Sequence, residues 1–374
     1  MTDRVLLGLL NKCKAVEKQL SEQVLQAAAQ GDASQALRVL ENSPLTQQDR
    51  ADRTFGAIEV YLLHQAARYP EANRVLDRLI GLDLSTQLVM DNCPSEADIV
   101  CGWDPDAEGV SILCTSFNHA RFIDMALAGF ISQISTHPFE VIVRDDASTD
   151  GTQDILKTWA ARYPRLLRVV QLPHNTFSAG IAPMPAALEH ARYPLIALCE
   201  GDDFWVDNQK LQIQADMLKQ HPTWSAVSHN HFELNEGIGR LLPGRQNKVR
   251  GFLARSDLLN VHLVLWVHTL MIRKDKLNLP AYSHRDGILG DQVMTACLGL
   301  GGEVYFRGDL MGSVARRNLS STYTPLLETD KQKKRIQTRR FLASVMADRG
   351  ERPTADRLLR WCEQAQRQQD MAVA

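Results

Sequence analysis

The sequence predicts an α/β fold, with parallel strands flanked by helices, an all-helical region before them and a helical tail after them. Two observations carry this. Between Gly109 and Trp205, short apolar runs alternate with stretches of helical period, which is the pattern of parallel βαβ units. Outside that core, apolar residues recur mainly at helical spacing. The 374 residues are 44% hydrophobic and 23% charged. That is the range of an ordinary globular protein with ample material for a buried core. The expected divisions are a helical region over 1–104, an α/β domain over 105–325 and a helical tail over 326–374.

The first region is helical because Val5, Leu6, Leu9, Leu10 and Cys13, and then Val24, Ala27 and Ala28, fall on one helix face. Gly31-Asp32 breaks the pattern. The runs Ala36–Leu40 and Ala72–Asp77 resemble each other at an offset near that of tetratricopeptide repeats. A plain helical bundle packed on the next domain fits these residues as well. Residues 91–109, with Pro94 and Pro105 among acidic residues, read as a linker.

Val110–Cys114 then reads as a strand, Ala120–Ile134 as a helix and Phe139–Arg144 as a second strand. Asp154–Ala161 has helical period, with Asp150 and Thr152 placed to cap its start. Leu166–Leu172 is a third strand, Pro185–Ala191 a helix and Tyr193–Leu198 a fourth strand. Lys210–Gln220 is a helix stopped by His221-Pro222. Ala226–Phe232 and Leu263–Ile272 are strand-like, Val293–Leu300 is helical and Glu303–Phe306 is a short strand. Residues 330–370 form the charged helical tail.

Composition excludes several classes. A net charge of -2 gives no nucleic-acid footprint, and the basic cluster Lys331–Arg335 with Arg339-Arg340 reads as a solvated helix face. The seven cysteines include no CxxC pair, so neither a disulfide framework nor a zinc site is indicated. Cys114 and Cys199 end apolar strands and read as small buried hydrophobes. The opening Met1–Arg4 leads into an amphipathic segment rather than a signal peptide. No run reaches transmembrane length. The expected location is the reduced cytoplasm, extending to a peripheral position at the inner face of the cell membrane.

The densest chemical signal is Cys199-Glu200-Gly201-Asp202-Asp203-Phe204-Trp205. Clustered carboxylates repel and raise one another's pKa. A divalent cation relieves that repulsion, and Mg²⁺ takes carboxylates together with substrate phosphates. The bland alternative is a solvated acidic turn. Ligands of parallel sheets sit at the carboxyl ends of strands. Thr115-Ser116-Phe117-Asn118, Asp145-Asp146 and Glu200–Asp203 all fall at such ends. His229 and His231 share one strand face, a spacing that metals use, although most such pairs are not ligands. Phe204 and Trp205 are expected to pack the acidic loop on the core.

Taken together, Ser111–Asn118, Val143-Arg144-Asp145-Asp146-Ala147-Ser148-Thr149-Asp150-Gly151-Thr152 and Glu200–Trp205 make residues 109–323 resemble the family 2 glycosyltransferases. These are inverting enzymes of GT-A fold that use nucleotide sugars. The resemblance implies a mixed, mainly parallel sheet. It implies that Thr115, Phe117, Asn118, Asp145 and Asp146 hold the nucleotide, with Asp146 accepting a base N–H in a way that suits uracil. Glu200, Asp202 and Asp203 correspond to the DXD element, with Asp202 binding Mn²⁺ or Mg²⁺ and the donor diphosphate. Asp291, in Leu289-Gly290-Asp291-Gln292, corresponds to the general base, and Asp286 is its rival. Asp291 would sit at a helix start, where the dipole lowers a carboxylate's pKa. Burial must offset that for a base working near neutral pH. Where the family often carries Tyr-Arg-x-His, this chain has Gly312–Ser321 without the His. Arg316 or Arg317 would contact the diphosphate there, since guanidinium suits phosphate, and a surface role fits as well. His268 is placed to line the acceptor cleft.

The implied partners are a nucleotide-sugar donor and a glycan, lipid-linked or protein acceptor, with a protein partner for the N-terminal helices. Two other functions compete. A nucleotidyltransferase would need a Gly-rich basic loop after the first strand, and Cys114–Asn118 is not one. A non-catalytic scaffold would have no use for Asp146, Asp202 and Asp291 together.

Overall fold

The computed structural model describes Leu10 and residues 18–29, 32–44, 58–59, 62–63, 86–235, 240–244, 251–283, 286–317 and 328–373. Helix α1 (Lys18–Ala29) and α2 (Ala33–Glu41) come first, and Asp32 caps α2 by accepting from the amide of Gln35. The second copy of the repeat-like run, 72–77, lies outside the described residues. The segment expected as a linker carries α3 (Thr86–Asp91) and α4 (Glu96–Cys101). Ser95 accepts from the Asp98 amide and so starts α4 one residue after Pro94. That capping pair, rather than apolar periodicity, makes the helix.

The α/β core then runs β1 (Val110–Ser116), α5 (Ile123–Ile131), β2 (Phe139–Asp145), α6 (Thr152–Arg162), β3 (Leu167–Gln171), α7 (Pro183–Leu188), β4 (Leu195–Glu200), β5 (Phe204–Trp205) and α8 (Lys210–Gln220). It continues with β6 (Trp224–Asn235), β7 (Arg240–Pro243), β8 (Gly251–Phe252), α9 (Arg255–Leu259), β9 (Met271–Arg273), α10 (Gly290–Gly301) and β10 (Glu303–Arg317). Helices α11 (Glu328–Asp348) and α12 (Arg352–Val373) form the tail. The strands make one ten-stranded sheet in the order β3-β2-β1-β4-β9-β6-β10-β5, with β7 beside β6 and β8 beside β10. Strands β1 to β4 are mutually parallel where they pair, whereas β9 is antiparallel to both β4 and β6. The sheet is therefore mixed.

Residue alternation assigns each sheet face its own helices. Ile112, Cys114, Val141 and Ala197 pack with Ile123, Phe130, Trp159 and Leu211 of α5, α6 and α8. Leu113, Ile142, Ile196 and Leu198 pack on the opposite face with Ala187, Leu265, Met294 and Leu298. The N-terminal helices bury Val24, Leu37 and Leu40 against Phe204, Phe232, Leu234 and Val314. Their apolar face is thus spent on the sheet edge beside the acidic loop.

Two expected strands differ from what forms. Leu263–Ile272 shortens to β9, because Val267–Thr269 coils into a 3₁₀ turn. Glu303–Phe306 extends to Arg317, because register shifts against β6 after Arg307 absorb Gly308-Asp309 as a bulge rather than a turn. Within the basic cluster of the tail, Arg339 is buried rather than solvated. Its guanidinium lies 4.0 Å from the Trp361 ring centre and donates to the Val261 carbonyl.

Candidate active site

Three neighbouring parallel strands end level with one another. Thr115 pairs with Glu200 across β1–β4, and Ser116 pairs with Asp145 across β1–β2. The sheet therefore delivers the strand-end residues to one rim. Asp145 is buried there and acts as a brace. It accepts from the Ser148 amide and hydroxyl and, at 3.1 Å, from Gln153 Nε2. Asn118 stands in the left-handed region, φ 55°, a conformation that asparagine tolerates better than most residues. Its side chain accepts from the Thr149 amide and its own amide donates to Ser148 Oγ. These bonds lock the loop after β1 to the loop after β2. Phe117 at the tip is 43% exposed, with its ring available to a flat ligand.

Asp146 is buried and turned toward the loop after β3. One carboxylate oxygen accepts from the Thr176 amide (2.9 Å) and hydroxyl (2.6 Å), and the other accepts from the Phe177 amide (2.9 Å). Arg144 lies 3.6 Å away. Burial raises the Asp146 carboxyl, but the bonds from Thr176 and Phe177 and the Arg144 charge outweigh it and hold the pKa below its ordinary value. Thr176 and Phe177 are not marked by any motif; their one signal in the sequence is their position directly after the third strand.

The acidic turn hangs between β4 and β5. Gly201 donates to the Thr115 carbonyl, and a Cβ there would stand 2.8 Å from His119 Nδ1 and 2.9 Å from Ile123 Cδ1. Only glycine lets the turn lie this close to α5. Glu200 is exposed, and Asp202 is half-buried. The mass of protein around Glu200, and then the charges of Asp202, Asp203 and Asp291, raise its carboxyl well above the usual range. Asp203 points inward. One oxygen accepts from the Arg316 amide (2.7 Å), and the other lies 3.0 Å from His268 Nδ1. Burial first, and Asp202 second, raise its pKa as well.

Strand β10 pairs with β5 (Val314 with Phe204), which brings Arg316 to the turn. The guanidinium of Arg316 is buried between the rings of Phe122 and Phe204, 5.1 and 5.0 Å from their centres. Arg317 follows in β10 opposite Asn235. Phe204 and Trp205 are buried as expected, with Trp205 edge-on to Phe130. His229 and His231 are fully buried and go separate ways. His229 Nδ1 meets the Asn230 carbonyl and its ring packs on Gly312, whereas the His231 ring packs on Gly244 and edge-on to His268.

Asp291 sits in the first turn of α10, past the N-cap position held by Leu289. It accepts from the Gln292 amide at 2.8 Å. Burial dominates and raises its carboxyl above the ordinary value, against the lowering by the backbone amides. Its charge reaches both Glu200 and Tyr282. Asp286 is exposed. Among the described residues, no three His, Cys, Asp or Glu side chains converge as a closed metal cage. Glu200 and Asp202 carry carboxylate oxygens, the donor type that hard cations take.

Residues 111–278 match the family model described as Glycosyl transferase family 2. An uncharacterized Mycobacterium tuberculosis protein is 42% identical over 121 residues, covering 32% of this chain and 34% of that one. The putative glycosyltransferase EpsE of Bacillus subtilis is 32% identical over 137 residues, covering 36% of this chain and 48% of that one. The chain thus spans between a third and a half of these relatives' lengths. In the crystal structure of S. aureus TarS 1-349 with UDP-GlcNAc, the similar region covers 67% of this chain and 70% of that one, at 20% identity and a TM-score of 0.51. That likeness speaks to the fold.

Proposed function

Residues 111–278 are a domain of glycosyl transferase family 2 with the GT-A fold, and from that premise we propose that this protein is a metal-dependent inverting glycosyltransferase. It moves a sugar from a nucleotide-sugar donor, a UDP-sugar, to a hydroxyl on a glycan, lipid-linked sugar or protein. The observation that carries this reading is the shared rim where β1, β2 and β4 end level and set Thr115, Ser116, Asp145 and Glu200 side by side. Glu200, Asp202, Asp203 and Asp291 lie close enough that each of the other three raises the Glu200 carboxyl. Uncompensated, such a cluster is costly; a cation and a transferring sugar between its members give it a use.

Phe117 covers the base face, and Thr115, Asn118 and Asp145 shape the pocket rim. Asp146 retains acceptor capacity for a base N–H beyond its bonds to Thr176 and Phe177. Asp202 and Glu200 would hold Mn²⁺ or Mg²⁺ beside the diphosphate. Arg316, whose amide donates to Asp203, adds positive charge beside the acidic turn. A bound divalent cation neutralises charge developing on the leaving diphosphate. Asp291 takes the proton from the acceptor hydroxyl. The acceptor oxygen then bonds to the anomeric carbon from the face opposite the diphosphate. The anomeric carbon–oxygen bond breaks, its electron pair leaves with the nucleoside diphosphate, and the configuration inverts.

Among the described residues no helix is long and apolar enough to cross a membrane. A peripheral position at the cytoplasmic membrane face suits a lipid-linked acceptor.

The test is UDP release from a panel of UDP-sugars with Mn²⁺, comparing wild type with Asp291→Asn. Loss of a general base should lower turnover by roughly 10²–10⁴-fold while UDP binding persists. Turnover unchanged in Asp291→Asn would remove Asp291 from the mechanism.

A further inference from the structure

The helix that carries Asp291 and the turn that carries Asp202 lie in different parts of the chain, yet one short segment touches both. Residues 263–270 run between α9 and β9. At one point, the Leu265 amide donates to Thr295 Oγ1 at 3.0 Å in a buried contact. Thr295 lies on α10 one turn beyond Asp291. A few residues further, His268 enters the 3₁₀ turn Val267–Thr269. Its imidazole is 2% exposed, and Nδ1 lies 3.0 Å from Asp203 Oδ2. The His268 carbonyl accepts from Trp205 Nε1 at 3.2 Å. His268 therefore grips the acidic turn at Asp203 and again two residues later.

The turn is also held by the Gly201 amide, which donates to the Thr115 carbonyl, and by the Arg316 amide, which donates to Asp203. The Asp203 amide donates to the Glu200 carbonyl at 3.1 Å, closing a tight turn around Gly201 and Asp202. That bond ties the backbone that carries Asp202 to Asp203. The segment that anchors it does not yield easily. Gln214 Nε2 donates to the Thr269 carbonyl, and Thr269 Oγ1 bonds Ser228 Oγ at 2.8 Å. The rings of His231 and Trp266 stand beside the imidazole at 4.9 and 5.9 Å.

We propose that His268 is a positioning residue, which through Asp203 fixes the metal-binding turn at a set distance from the helix that carries the base. This rests on the transferase reading and assigns Asp203 to the support of the site rather than to the metal. Outer partners of metal ligands typically change affinity or activity by roughly 10–100-fold when removed.

The test separates side-chain shape from mere bulk. Asn places an amide N–H where Nδ1 stands, Gln places it one bond further out, and Ala has none. Mn²⁺ binding in the presence of UDP is measured by electron paramagnetic resonance for wild type, His268→Asn, His268→Gln and His268→Ala. Thermal unfolding without ligands reports any general loss of structure. The expected result is near-wild-type Mn²⁺ affinity for His268→Asn and a loss of roughly 10–100-fold for His268→Gln and His268→Ala. Should His268→Ala not fold, the Asn and Gln variants alone decide. Equal Mn²⁺ affinity in wild type and every folded variant overturns the proposal while leaving the transferase reading intact. Failure of wild type to bind Mn²⁺ with UDP overturns the reading itself, and the proposal with it.

Discussion

Asp146 accepts both the main-chain amide and the hydroxyl of Thr176 on a single carboxylate oxygen. The loop after β3 is thereby hung from the end of β2, with Arg144 alongside. Asp146→Asn presents an amide where these donors point and leaves the Arg144 charge without its counter-ion. The expected cost near neutral pH is roughly 1–3 kcal/mol. The sign follows from the lowered pKa. The stabilisation is fully present above the unfolded carboxyl's pKa and is lost as pH falls through the folded one. Denaturant titrations of both proteins across acid pH check this: the gap should close in acid, and a gap independent of pH would contradict it.

A methyl group on Gly201 has nowhere to go without moving His119 or Ile123. Gly201→Ala should cost roughly 1–3 kcal/mol through overpacking and should weaken Mn²⁺-dependent UDP binding, because the whole acidic turn must lift. Calorimetric titration with UDP and Mn²⁺ reads the second effect. Unchanged affinity would mean that the turn has slack that this packing does not suggest.

Lys210 is fully buried, with Nζ bonded to Gln214 at 2.7 Å and lying 4.0 Å from the Trp205 ring centre. Burial pulls its pKa from 10.5 down to about 7. Between those values the unfolded chain binds a proton that the folded chain gives up, so this group makes stability rise with pH across that window. Lys210→Met removes the dependence. Its stability relative to wild type should increase as pH falls from about 10 to about 7 and then level off. A constant difference across that range would show that the lysine keeps its charge in the fold.

The helices before the sheet cover Phe204, Phe232, Leu234 and Val314 with Val24, Leu37 and Leu40. Deleting residues 1–104 should therefore yield protein that aggregates, because that surface and the back of the acidic turn lose their apolar cover. A soluble truncated protein with wild-type nucleotide binding would contradict this and return the region to a partner-binding role.

The sequence shows what is local. Val143–Thr152 and Glu200–Trp205 each hold a strand end and its loop within a few residues, so the site's rim could be read directly, as could helix Lys210–Gln220. What escaped depends on contacts between distant segments. Nothing near Asp203 announces that His268 and the Arg316 amide will turn it inward, and nothing near Asp146 names Thr176. The short strands β5, β7 and β8 are too brief to show a period, and they exist because β10 and β6 offer them edges. The bulge after Arg307 hid most of β10, since Gly308-Asp309 looks the same in a turn as in a bulge. Ala72–Asp77, half of the repeat-like pair, lies outside the described residues.

Thermal unfolding with UDP, GDP, CDP and dTDP, each with and without Mn²⁺, for wild type and Asp202→Ala, tests the transferase site most directly. A nucleotide at about 100 times its Kd should stabilise by roughly 2.7 kcal/mol, a rise in Tm of about 2–4 °C at this size. The predicted result is a shift for UDP that needs both Mn²⁺ and Asp202. No shift with any nucleotide, or a shift indifferent to Asp202, would contradict it.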